Sequence, residues 1–163
     1  MTNNDILRRI RYIFNLRDAG LVDIFRLGDK QITVKAVFNL LLKDDDEEYK
    51  SLSDKDFAHF LNGFIIKMRG AKDGHQPISE STLNNNLILR KLKIALNLKD
   101  DDIIEIMDLA DIRIGKSELS AFFRNTNHKH YRVCKDQFLR NFLMGLQLKL
   151  RPKDSDNLNT TVY

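Results

Sequence analysis

The sequence predicts an all-α protein: a tandem duplication of a four-helix unit, helix-turn-helix-like in its middle helices and packed as a pseudo-twofold pair. Three observations carry that expectation. Sliding the chain against itself by 82 residues aligns 2–70 with 84–152 without a gap, and 19 of the 69 pairs are identical. Leu, Ile, Lys, Arg and Asp dominate, with 7 Gly, 2 Pro and no Trp in 163 residues, a composition that favours helices over a turn-rich sheet protein. Apolar residues recur three and four positions apart in matching stretches of both copies. Each copy, at about 70 residues, is small for a self-sufficient core, so the copies are expected to pack on each other.

The elements follow in order. Ile6, Leu7, Ile10, Ile13 and Phe14 form the stripe of a first helix, repeated by Ile88, Leu89, Leu92, Ala95 and Leu96. Its N-cap is expected from Asn3 or Asn4, and from Asn84 to Asn86, because a short amide oxygen accepts a free N–H of the first turn. Asp18 and Asp100 are the expected caps of a second helix, with Asp101 and Asp102 adding charge at its positive end. Turns through Asp29 and Asp111 lead to a third helix over 34–42 and 116–124. The fourth and longest starts at Asp54 and Asp136, with stripes of Phe57, Phe60, Leu61, Phe64 and Met68 and of Leu139, Phe142, Leu143, Leu146 and Leu150. Gly63 and Gly145 interrupt those stripes, where Gly costs roughly 1 kcal/mol against Ala, and a close helix crossing is the expected reason. The organisation is thus a first repeat (1–70), a polar linker (71–83), a second repeat (84–151) and a tail (152–163) without apolar periodicity, expected to be mobile.

The stretches "ILRKLKIALNL", "LSAFF" followed by Tyr131, and "FLRNFLMGLQ" resemble the YehS-like family of small duplicated bacterial proteins of uncharacterised function. The resemblance covers about 1–151 and both copies. It implies the all-helical duplicate and a bacterial cytoplasmic setting, and it brings no catalytic or binding residues.

Function is read from charge. Copy one (2–70) has 12 Lys and Arg against 11 Asp and Glu; copy two (84–152) has 13 against 8, so the net +4 of the chain belongs to copy two. Arg113, Lys116, Arg124, Lys129, Arg132 and Lys135 stand where copy one has Gln31, Val34, Leu42, Glu47, Lys50 and Ser53. Such a cluster suits DNA or RNA phosphates, the source of most nucleic-acid affinity. The stretch 101–123 has the outline of a helix-turn-helix, an outline shared with any packing hairpin of two helices. The alternative is a protein–protein interaction or self-association module, its cations solvated and balanced by the acidic run at 44–48.

Other chemistry is not indicated. His128 and His130 lack the further ligands of a metal-site spacing, and the acidic run lacks the alternating oxygens and central Gly of a calcium loop. Cys134, matched by Leu52, reads as structural. No phosphate-cradling Gly-rich loop, nucleophile elbow or zinc-protease helix occurs, so neither an enzyme nor a cofactor is expected. A lone cysteine and the lack of an apolar run near the roughly 18 residues of a membrane span give the expectation of a soluble cytoplasmic protein.

Overall fold

The computed structural model describes residues 1–70 and 78–151. Among them lie eight helices and no strand: α1 (Asn3–Ile13), α2 (Asp18–Leu27), α3 (Val34–Leu41), α4 (Asp54–Arg69), α5 (Asn85–Ala95), α6 (Asp100–Leu109), α7 (Lys116–Ala121) and α8 (Asp136–Leu150). The expected tail, 152–163, and the linker stretch 71–77 lie outside the described residues.

The copies repeat each other down to single hydrogen bonds. Asn15 and Asn97 end the first helices at φ 51° and 52°, and Asp29 and Asp111 end the second at 66° and 59°. These left-handed positions tolerate Asn and Asp better than other non-glycine residues, which explains the identity of both pairs. The turns then close alike, Leu16 N–H donating to the Arg11 carbonyl and Leu98 N–H to that of Lys93, each at 2.9 Å.

The packing exchanges helices between copies. Within each copy the second helix lies on the fourth, whereas α4 packs on α5 and α1 on α8, across the copies. Paired contacts mark the same exchange. Arg69 donates to the Ile94 carbonyl at 3.4 Å and Arg151 to that of Tyr12 at 2.9 Å. Asp54 accepts from Leu83 N–H at 3.0 Å, and Asp136 from the Met1 ammonium at 2.9 Å. Swapping the copies turns each contact into its partner, the signature of a pseudo-twofold. A single core results, in which Phe60 and Phe142 are both fully buried.

Both glycines of the fourth helix sit at a crossing. A Cβ on Gly63 would lie 1.8 Å from the Ile24 carbonyl oxygen, and one on Gly145 2.0 Å from that of Ile106. No side chain fits there, so close packing is the reason for Gly.

Asn84 caps α5 as expected, its side chain accepting from Leu87 N–H, whereas α1 is capped by Thr2, which accepts from Asp5 N–H, and not by Asn3 or Asn4. Asn3 and Asn4, with Asn85 and Asn86, lie one and two positions inside and hold distant backbone. Asn4 donates to the Leu40 and Lys50 carbonyls and accepts from Leu52 N–H; Asn86 does the same with Phe122, Arg132 and Cys134. Asp18 and Asp100 are first helical residues, the cap positions being Arg17 and Lys99. The third helices stop at Leu41 and Ala121, short of 42 and 124. Met68 and Leu150, each 46% exposed, fall outside the buried stripes.

Candidate functional site

Each copy opens a cleft between the turn after its second helix, its third helix and the start of its fourth. The Asn4 and Asn86 clamps shape these clefts by fixing the segments that precede α4 and α8. In copy one the cleft measures about 610 Å³ and includes Lys30, Gln31, Asn39, Lys50 and Asp56 among its walls. The copy-two cleft measures about 330 Å³ and includes Ile112, Arg113, Glu118, Arg132, Val133, Lys135 and Phe138, so three cations face one carboxylate among these walls. The offset of 82 maps one lining onto the other: Lys30 on Ile112, Gln31 on Arg113, Lys50 on Arg132, Asp56 on Phe138.

The same scaffold therefore carries different chemistry. In copy one Lys30 and Asp56 form an ion pair at 3.5 Å, leaving little net charge. Copy two places the apolar pair Ile112 and Phe138 at those two positions. Phe138, half-buried, packs on Phe122 with ring centroids 4.7 Å apart.

Of the six cations expected to act together, Arg113, Arg132 and Lys135 line this cleft and are exposed. Lys116, Arg124 and Lys129 are not among its walls. Lys116, at the start of α7, pairs with Asp101 at 3.2 Å. Arg124 is half-buried after α7, and Lys129 is exposed in the following loop. Among the described residues the other five cations form no ion pair, and the acidic run of copy one pairs through Glu48 with Lys35 of its own copy at 2.9 Å. Phe138 and Val133 were not legible as site residues; the replacement of Asp56 by Phe138 between aligned copies is the signal that marks them.

A second polar group lies at the α4–α5 seam. Lys91, 7% exposed, donates to Asn62 Oδ1 at 2.6 Å and pairs with Glu80 at 3.0 Å. Asn62 donates to Ser79 Oγ at 3.3 Å, and Ser79 lies 3.0 Å from His59 Nδ1. The Gly28 carbonyl, 2.6 Å from the same Nδ1, can only accept, so that nitrogen carries the proton and cannot take one from Ser79. The group binds the linker to the helices and holds no activated nucleophile.

His128 and His130 are exposed with ring centroids 5.6 Å apart, and no cluster of three metal-ligating side chains occurs among the described residues. Cys134 is buried, and burial followed by the Asp136 charge pushes its thiol up to about 12, far from a reactive thiolate. Among the described residues no helix is long and apolar enough to cross a membrane.

The duplicated geometry agrees with the comparisons with known proteins. The family described as "Protein of unknown function (DUF1456)" matches twice, over 3–70 and 85–151. The chain belongs to this family. It is also 41% identical over 155 residues to "Uncharacterized protein YehS" of Escherichia coli (strain K12), covering 94% of this chain and 99% of that relative. No solved structure matches it. Family membership agrees with the tandem all-helical architecture and assigns no chemistry to either cleft.

Proposed function

We propose that this is a non-enzymatic, cytoplasmic nucleic-acid-associated or regulatory protein that binds polyanion through copy two. One observation carries the reading: Arg113, Arg132 and Lys135 converge on a cleft in which they outnumber Glu118, and among the described residues none of the three forms an ion pair. A cluster with cations in excess, while the matched cleft pairs Lys30 with Asp56, is suited to external phosphates. Arg124 and Lys129 extend the cationic surface beyond the cleft, and Lys116 joins it if phosphate displaces Asp101.

The test is fluorescence anisotropy with labelled DNA and RNA from about 20 to 300 mM salt, the range over which phosphate contacts weaken most. Three neutralised phosphates predict a slope of log affinity against log salt of about −2 on a single strand. Absence of binding at the lowest salt overturns the proposal.

A second reading, a protein-interaction or self-association module, draws on copy one, whose α3 leaves Val34 52% and Phe38 44% exposed. Association through those side chains would persist as salt rises, which separates it from phosphate binding.

A further inference from the structure

We infer that the copy-two cleft accepts a single nucleic-acid strand, with an unpaired base against Phe138 and its phosphates on Arg113, Arg132 and Lys135. The inference rests on the polyanion reading above and adds which form of nucleic acid is bound.

The cleft has two kinds of surface. Its cations supply phosphate contacts, but they do not distinguish a strand from a duplex. Its apolar part does. Ile112, Val133 and Phe138 line the same cleft as the three cations, and Val133 is 63% exposed. An aromatic wall beside cations is the arrangement by which proteins hold unpaired bases, because every base has a face to stack and every nucleotide a phosphate to neutralise. In a duplex those faces are covered by neighbouring base pairs and do not reach a ring inside a cleft.

The geometry of α7 argues in the same direction. Groove reading by a helix-turn-helix needs the second helix to enter a major groove about 12 Å wide and present several side chains along it. The α7 helix has six residues, about 9 Å at the usual rise. Its first residue, Lys116, is held by Asp101, an exposed carboxylate at the start of α6 beside Asp100 and Asp102. Duplex phosphates docking at that end would meet this acidic run. The cleft, bounded by the α6–α7 turn and the start of α8, is the more accommodating cationic surface.

Copy one supplies an internal contrast. Its cleft is the larger, yet Asp56 stands where copy two has Phe138, so no ring is offered there, and with Lys30 paired to Asp56 the lining leaves Lys50 to meet phosphate, whereas in copy two Glu118 faces three cations. The strand is therefore assigned to copy two alone.

The experiment compares anisotropy of a labelled single strand with that of the same sequence in a duplex, using wild type, Phe138→Leu and Phe138→Tyr, with melting curves confirming that both variants fold. A second measurement places 2-aminopurine within the strand and follows its fluorescence on binding to wild-type protein. Wild type is expected to prefer the single strand by at least about tenfold, and Phe138→Leu to lose roughly 5- to 100-fold on the single strand with little change on the duplex, the range of one lost base stack. Phe138→Tyr is expected to retain binding, and 2-aminopurine emission to be quenched at saturation. Equal affinity for strand and duplex, or unquenched emission at saturation, overturns this inference while salt-sensitive binding leaves the polyanion reading standing. No binding to either form at the lowest salt overturns both.

Discussion

The two clefts are built by the same clamps, turns and helix starts, yet copy one closes its charge on itself through Lys30 and Asp56 while copy two leaves Arg113, Arg132 and Lys135 open around Phe138. The difference separates what the duplication preserves from what it allows to vary. Residues holding backbone are kept: Asn3, Asn4, Asn15, Asp29, Asp54 and Gly63 all recur 82 positions later. Of the cleft linings, only the basic character of Lys50 and Arg132 and the apolar residues at Ile32 and Leu40 persist, as Ile114 and Phe122.

The largest expected effect lies in the shared core. Phe60 packs among Phe25, Phe57 and Phe64 with centroid distances of 5.1, 6.0 and 6.2 Å, whereas Phe142 has Met107, Leu139 and Leu146 at the matched places. Truncation of either to Ala is expected to cost about 3–5 kcal/mol, with Phe60→Ala the costlier because it also removes ring–ring contacts. Denaturant unfolding measures both; a larger loss at Phe142 would break this ranking of the copies.

The clamps come next and should show no asymmetry. Asn4→Ala and Asn86→Ala each release two carbonyls and one N–H; water can reach the part-buried Lys50 and Arg132 carbonyls, and the partners left buried bring the expected cost to roughly 2–4 kcal/mol. Equal losses in Tm are expected, and a strongly unequal pair would mean that the two loops are not held alike.

Smaller again is the cost at the crossings. Gly63→Ala and Gly145→Ala force the helices apart and are expected to lose about 1–3 kcal/mol each. Gly28→Ala should be destabilising as well, since its Cβ would lie 1.7 Å from the His59 carbonyl oxygen, although copy two carries Ala110 at that place. Unchanged melting of Gly28→Ala would show that copy one tolerates the wider crossing.

The smallest effect is electrostatic. Asp54 is held below the usual carboxylate range by Leu83 N–H and then the Asn3 amide, and Asp136 by the Asn85 amide and then the terminal ammonium. A folded value below the unfolded one gives stability that is present above the unfolded value, about 3.9, and is lost as pH falls through the folded value. Melting temperature should therefore drop on acidification in that window, and Asp54→Asn and Asp136→Asn should each flatten the drop. Curves parallel to wild type would remove these carboxylates as its source.

The repeat and the helices were legible because hydrophobic spacing and a gapless offset are properties of the chain alone. Gly63 and Gly145 were legible too, since a glycine inside an apolar helical stripe has few explanations besides a close approach. The roles of Asn3, Asn4, Asn85 and Asn86 were not. An asparagine before a helix looks like a cap, and only the fold brings the 40–54 and 122–136 segments to its side chain. The exchange of helices between copies was hidden for the same reason, as an apolar stripe says that a face is buried and not against which copy. Of the six cations, three line one cleft: the Asn86 clamp fixes the backbone at 132 and 134, beside 135, at the cleft that Arg113 also lines, while 124 and 129 lie earlier in the loop between α7 and α8 and Lys116 pairs with Asp101. Val34, the first residue of α3, is exposed, as Lys116 is at the matched place.

The most direct test of the division between the copies is charge reversal in one at a time, with binding to a labelled nucleic acid read by anisotropy at about 20 mM salt, where screening is weakest. One variant carries Arg113→Glu, Arg132→Glu and Lys135→Glu; its counterpart carries Lys35→Glu, Lys43→Glu and Lys50→Glu, exposed positions of copy one. Copy-two reversal is expected to abolish binding with helix content and Tm nearly intact, and copy-one reversal to leave most of it. Binding that survives the copy-two set and disappears with the copy-one set would contradict the assignment.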